Sequence, residues 1–174
     1  MWLRRCGIVL GASALLAAQV PAHAQLYNPD FIKGISGSDI VAVLETFGIM
    51  PGNRVETVQA GTYPYVTALA PNGVHFATYF VHCRDQRIAS NCASLLHRAC
   101  FDESQVPRAR FPSLTALNTF NSEVRPGRAY LTRDGASFCL DHLLRVEGTM
   151  RGELRNMYLM WFDMVQDFRR QFGI

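Results

Sequence analysis

The chain has 174 residues, five of them cysteine, with 17 basic and 14 acidic side chains and a formal net charge of +3. That near balance excludes nucleic acid as the main partner, because neutralising phosphates demands a clustered excess of positive charge.

Residues 1–24 have the pattern of a secretory signal peptide. Arg4 and Arg5 open it, residues 6–20 are small and apolar without charge, and Ala22-His23-Ala24 is an A-x-A cleavage site. The apolar run is short for a membrane span, so no stable span is expected after cleavage. The mature chain then starts at Gln25 and keeps 150 residues, a length that suits one domain. It also loses two arginines, which leaves fifteen cations against fourteen acids. A periplasmic or secreted location follows, and with it an oxidising compartment for Cys83, Cys92, Cys100 and Cys139. No two of these are spaced C-x-x-C, which excludes thioredoxin-like and zinc-ribbon readings.

In chain order, residues 25–37 contain Pro29, Gly34 and Gly37 and form an extended lead-in to a domain over residues 38–174. Ser38 is placed to cap a first helix, with Ile40, Val43, Leu44 and Phe47 on one face and Gly48 as its stop. Residues 54–58 make a weak strand and residues 65–69 a better one. After the turn Pro71-Asn72-Gly73, residues 74–83 are rich in aromatic and β-branched side chains, the strongest strand signal. A polar loop, 84–91, leads to a further strand over 92–101. Ser113 caps a second helix with Leu114, Leu117 and Phe120 or Val124 facing inward, ended by Pro126-Gly127. Residues 128–132 and 136–143 flank the Asp134-Gly135 hairpin signal. From 149 to 172, Met150, Leu154, Met157, Trp161, Met164, Phe168 and Phe172 recur in steps of three and four, a long amphipathic helix with Arg169 and Arg170 complementing its dipole. The expected fold class is α+β: an antiparallel sheet of five or six strands with three helices packed on it, in the order α-β-β-β-β-α-β-β-α.

Several segments taken together are similar to one family. Residues 76–83 (FATYFVHC) and 92–102 (CASLLHRACFD) resemble the paired-cysteine hairpin of YbjN-domain proteins. Residues 118–135 (NTFNSEVRPGRAYLTRDG) resemble that family's asparagine-rich helix end, arginine, tyrosine-bearing strand and D-G turn. The closing helix, with LMWF at 159–162 and aromatics at 168–172, resembles its C-terminal helix. The likeness spans residues 38–172. It implies a fold like that of type III secretion chaperones and a role labelled sensory-transduction regulation, with no catalytic residue.

Read on their own, the residues carry no enzyme or cofactor fingerprint. The segment Gly34-Ile35-Ser36-Gly37-Ser38 misses the second glycine of a nucleophile elbow and has no buried strand before it. There is no H-E-x-x-H, phosphate loop or dinucleotide motif, so neither a cofactor nor a metal is expected. His82, Cys83, Cys92 and His97 are poorly spaced for zinc, since strand alternation turns neighbours to opposite faces. A Cys83–Cys92 disulfide is expected instead, closing the hairpin across the 84–91 loop. The same register sets Cys100 opposite His75, so Cys100 and Cys139 are expected as separate buried thiols; a bridge between them stays open because strand order is unknown. The arginines, Arg98 and Arg128 among them, are read as a solvated surface paired with acids such as Asp85, Asp102 and Glu103.

The run Tyr158-Leu159-Met160-Trp161-Phe162 goes all the way round a helix. Leu159 and Phe162 lie off the centre of the apolar stripe and are the candidate partner-binding residues, unless other elements cover them. The expected function is a non-catalytic binding or regulatory module that recognises a protein partner, or a second copy of itself as a homodimer. The alternatives are a small-ligand sensor and an enzyme with a dispersed site.

Overall fold

The computed structural model of the chain describes residues 31–55, 63–123 and 126–174. The expected signal peptide, residues 25–30 of the lead-in, residues 56–58 of the weak first strand, and Val124 lie outside the described residues.

Helix α1 runs Gly37–Glu45. Its N-cap is Ser36, two residues before the serine expected: the Asp39 carboxylate accepts from the Ser36 amide at 2.9 Å and hydroxyl at 2.6 Å, which anchors the first turn. Gly48, with φ +69°, turns the chain out of the helix as expected. Strands β1 (Pro51–Val55), β2 (Tyr65–Leu69), β3 (His75–Asp85) and β4 (Ser90–Asp102) follow. The Arg84–Asn91 segment is less of a loop than expected. The strands continue into it and are joined by a single 3-10 turn, Gln86–Ile88, with Ala89 and Asn91 in left-handed backbone.

Helix α2 (Leu114–Ser122) is capped by Ser113, whose hydroxyl accepts from the Ala116 amide. Leu117 and Phe120 are buried as expected, but Leu114 is exposed because it opens the first turn and points away from the core. Strands β5 (Arg128–Leu131) and β6 (Ser137–Arg145) form the hairpin signalled by Asp134-Gly135, where Gly135 has φ +66°. Helix α3 runs Glu153–Phe172. Met150 lies before it and is exposed, while Tyr158, Phe162 and Val165 join the buried stripe, making it wider than the sequence pattern.

The six strands form one antiparallel sheet in the order β1-β2-β3-β4-β6-β5. The expected α+β class and element order hold. Sheet order inverts the last hairpin: β6, not β5, lies against β4.

The helices share one face. Phe168 of α3 stacks on Phe101 of the sheet at 5.8 Å, lies tilted over Phe138 at 6.0 Å, and meets Phe120 of α2 at 5.2 Å. Phe47, just after α1, meets Phe162 of α3 edge-on at 5.4 Å. Each fully buried side chain of this kind contributes roughly 1.5–3 kcal/mol before ordering costs. An extended strap, residues 31–36, ties the layers at one end. Ile35 exchanges both backbone hydrogen bonds with Cys92, and Ile32 bonds to Gly148 and Thr149 ahead of α3.

Candidate functional site

Strand alternation divides the sheet's side chains between a helix-covered face and an open one. On the open face the register sets them in rungs. One rung runs Thr67, Ala77, Arg98, Asp141, Arg128 across β2, β3, β4, β6 and β5. The next runs Tyr65, Tyr79, Leu96, Leu143. Arg98 is therefore at the centre of the face, on the central strand.

Its geometry is tightly specified. Arg98 donates two hydrogen bonds to the Asp141 carboxylate, both at 2.7 Å, and the Tyr130 hydroxyl donates to the same carboxylate at 3.3 Å. The guanidinium also lies over two rings, 5.4 Å from the Tyr79 centroid and 5.8 Å from that of Tyr130. Tyr79 in turn contacts Tyr65 at 5.2 Å. The Asp141 hydrogen bonds hold Arg98 protonated beyond its ordinary range, and burial, then the Asp141 charge, push the Tyr130 phenol up to about 12. A bidentate, stacked arginine cannot be replaced by lysine without losing both features. Beside this cluster is a shallow hollow of about 350 Å³, lined among others by Thr67, His75, Tyr79, Arg98 and Cys100. On the same face Leu69, opposite His75 in the register, and Leu143, on the Tyr79 rung beyond Leu96, are 48% and 59% exposed. The surface is aromatic and apolar with its central charges already paired, which suits contact with a broad partner better than capture of a free anion.

Two disulfides link neighbouring strands: Cys100 of one lines the hollow, whereas Cys92 and Cys83 of the other pack against the buried core. Cys83 pairs with Cys92 in the β3–β4 register and the two are bonded, as expected. Cys100 is bonded to Cys139, which corrects the expectation of separate thiols. The reason is the β4–β6 pairing, which puts Cys100 opposite Cys139. Two disulfides fit an oxidising compartment.

The helix-side candidates divide. Phe162 is core, 9% exposed and packed on Phe47, Phe76 and Tyr158, which corrects its place in the expected partner surface. Leu159 is 40% exposed beside Met160 and remains accessible. Of the arginines expected on a solvated surface, Arg87 pairs with Asp85 and Arg108 with Glu103, whereas Arg98 turns to Asp141.

On the covered face, Thr78 Oγ1 lies 2.9 Å from His97 Nδ1, the spacing of a hydroxyl and its base. Both are wholly buried under α3, so a substrate has no approach to them. His82 is exposed and hydrogen-bonds Ser94 at 3.3 Å. Among the described residues no group of three or more His, Cys, Asp or Glu is placed to hold a metal, and no helix is long and apolar enough to cross a membrane.

Sequence reasoning missed the Arg98–Asp141–Tyr130 cluster. Its members come from β4, β6 and β5, and only the strand order brings them together. The available signal was an arginine in the middle of an otherwise apolar strand, where a charge needs a partner. No family model, curated protein or solved structure matches the chain.

Proposed function

We propose that this chain is an exported, non-catalytic binding module of the YbjN type that recognises a protein partner through the open face of its sheet, in the periplasm or outside the cell. The observation that carries the reading is the central rung of that face. Arg98 is held flat by Asp141 and by the Tyr79 and Tyr130 rings, with apolar Leu69 and Leu143 to either side. Rigid aromatic and arginine side chains with few rotamers to lose are the usual energetic centres of protein interfaces. The segments similar to YbjN-domain proteins support the same class.

The test is affinity capture from periplasmic extract of the host with residues 25–174 as bait. A Leu69→Asp/Leu143→Asp bait should lose the captured partner, because two charges would be buried unpaired at the interface. A Leu159→Asp bait should retain it. Capture that survives the first pair of substitutions and is abolished by the second would move the interface to α3 and overturn the assignment.

A further inference from the structure

On the covered face, one rung of the sheet runs Val66, Thr78, His97, His142 across β2, β3, β4 and β6. Thr78 and His97 are 0% exposed and His142 is 2% exposed. The Thr78 hydroxyl lies 2.9 Å from His97 Nδ1 and 3.0 Å from the Tyr158 hydroxyl of α3. Trp161 covers both imidazoles, 5.4 Å from His97 and stacked 6.4 Å from His142, and the imidazoles are 6.2 Å apart. His97 Nε2, His142 Nδ1 and Trp161 Nε1 have no hydrogen-bond partner.

Such a site has room for neutral imidazoles only. An imidazolium carries two N–H donors and a charge that burial penalises heavily unless it is paired. The groups facing the pair are Thr78 and Phe76 from β3, each histidine from β4 and β6, and Tyr158 and Trp161 from α3. The titratable one among them besides the histidines, Tyr158, has its phenol pushed up by burial and stays neutral. Neither histidine therefore has a carboxylate to pair with among these neighbours, and protonating one repels protonation of the other.

We propose that the His97–His142 pair is an acid-sensitive latch between α3 and the sheet: proton uptake by the imidazoles lifts α3 from β4 and β6 and uncovers the apolar underside of the sheet. The inference is independent of which partner the opposite face binds. Burial, and then the charge of His142, bring His97 down to about 3, and burial lowers His142 as well. A depressed basic group makes the closed form fully stable above its free value near 6.5, and that stability is lost as pH falls from there towards the depressed value. Between pH 7.5 and 4.5, His97 alone raises the opening constant about 100-fold, and His142 steepens the dependence.

Hydrogen-exchange mass spectrometry on the disulfide-bonded protein at these two pH values, corrected for intrinsic exchange, tests the latch. Protection across 153–172 should fall at least about 100-fold at the lower pH. In a His97→Phe/His142→Phe variant it should stay nearly constant. An equal loss in both proteins would assign the effect to carboxylates and overturn the proposal. Should the variant not fold at pH 7.5, imidazole NMR titration of the unaltered protein decides. The latch requires both rings to stay neutral until the α3 signals shift. A ring that titrates near 6.5 with α3 still docked overturns it.

Discussion

Removing the disulfides one at a time gives a test in which topology sets the magnitude. Cys83–Cys92 closes a loop of sequence separation 9, and Cys100–Cys139 one of 39. In the chain-entropy model the first bridge contributes about 2.6 kcal/mol and the second about 3.9 kcal/mol, all through the unfolded chain. Each pair contains one cysteine that is essentially fully buried, Cys92 and Cys139, so the packing lost on changing cysteine to alanine is similar and cancels in the comparison. The loops share no residues, and Cys92 and Cys100 are about 26 Å apart along β4 at the usual rise. The two losses should therefore add to within ~0.5 kcal/mol. The assay is urea unfolding of Cys83→Ala/Cys92→Ala, of Cys100→Ala/Cys139→Ala and of the fourfold variant. With a slope of ~2 kcal/mol/M, the midpoints should fall by about 1.3 and 1.9 M. A combined loss near 6.5 kcal/mol approaches the whole stability of many domains, so the fourfold variant should have its midpoint near zero urea, and additivity is read there from the small folded fraction left in buffer. A larger cost for Cys83–Cys92 than for Cys100–Cys139 would refute loop closure as the source of the stabilisation.

Phe162→Ala should destabilise by about 3–5 kcal/mol in the same assay, whereas Leu159→Ser should stay within about 0.5 kcal/mol, since only the first opens a cavity. Gly34→Ala should cost about 1–3 kcal/mol. Its Cβ would stand 2.7 Å from the Asn91 Cα and 3.0 Å from the Asn91 carbonyl carbon, so the strap must move away from β4. Faster amide exchange at Ile35 and Cys92 would accompany that loss.

How much of this was legible depends on how far apart in sequence the partners stand. β2, the α2 cap and the Asp134-Gly135 hairpin rest on local chemistry, and the sequence places them well. The β3–β4 hairpin was equally local, and its register gives Cys83–Cys92 directly. The placement of β6 beside β4 is a long-range choice with no local signal, and two results depend on it: the Cys100–Cys139 bond and the Arg98–Asp141 pair. Phe162 shows the same limit. A run that goes round a helix does not say which side is covered, and here Phe47 and Phe76 arrive from distant segments to cover it. The start of α1 was ambiguous for a different reason. Ser36 and Ser38 are equally good caps by type, and the tertiary ion pair of Asp39 with Arg151 at 2.7 Å supports the register that begins at Ser36.

The same central strand organises both faces. Adjacent residues His97 and Arg98 of β4 stand opposite His142 and Asp141 of β6, one pair turned to the helices and the other outward. β4 is also bonded to β3 through Cys92 and to β6 through Cys100. Covalent ties on both sides limit how far the three strands can slide or splay, so the outer rung of Arg98, Asp141 and the tyrosines keeps its shape at little further cost in order on binding. The helix layer has no such ties to the sheet among the described disulfides, and its contact with the middle of the sheet depends on rings that must remain uncharged. A change in protonation should therefore act on the helix layer first and leave the outer face in place. A partner bound to the open face should survive acidification that exposes α3, and dissociation in step with loss of α3 protection would mean that the two faces do not move independently.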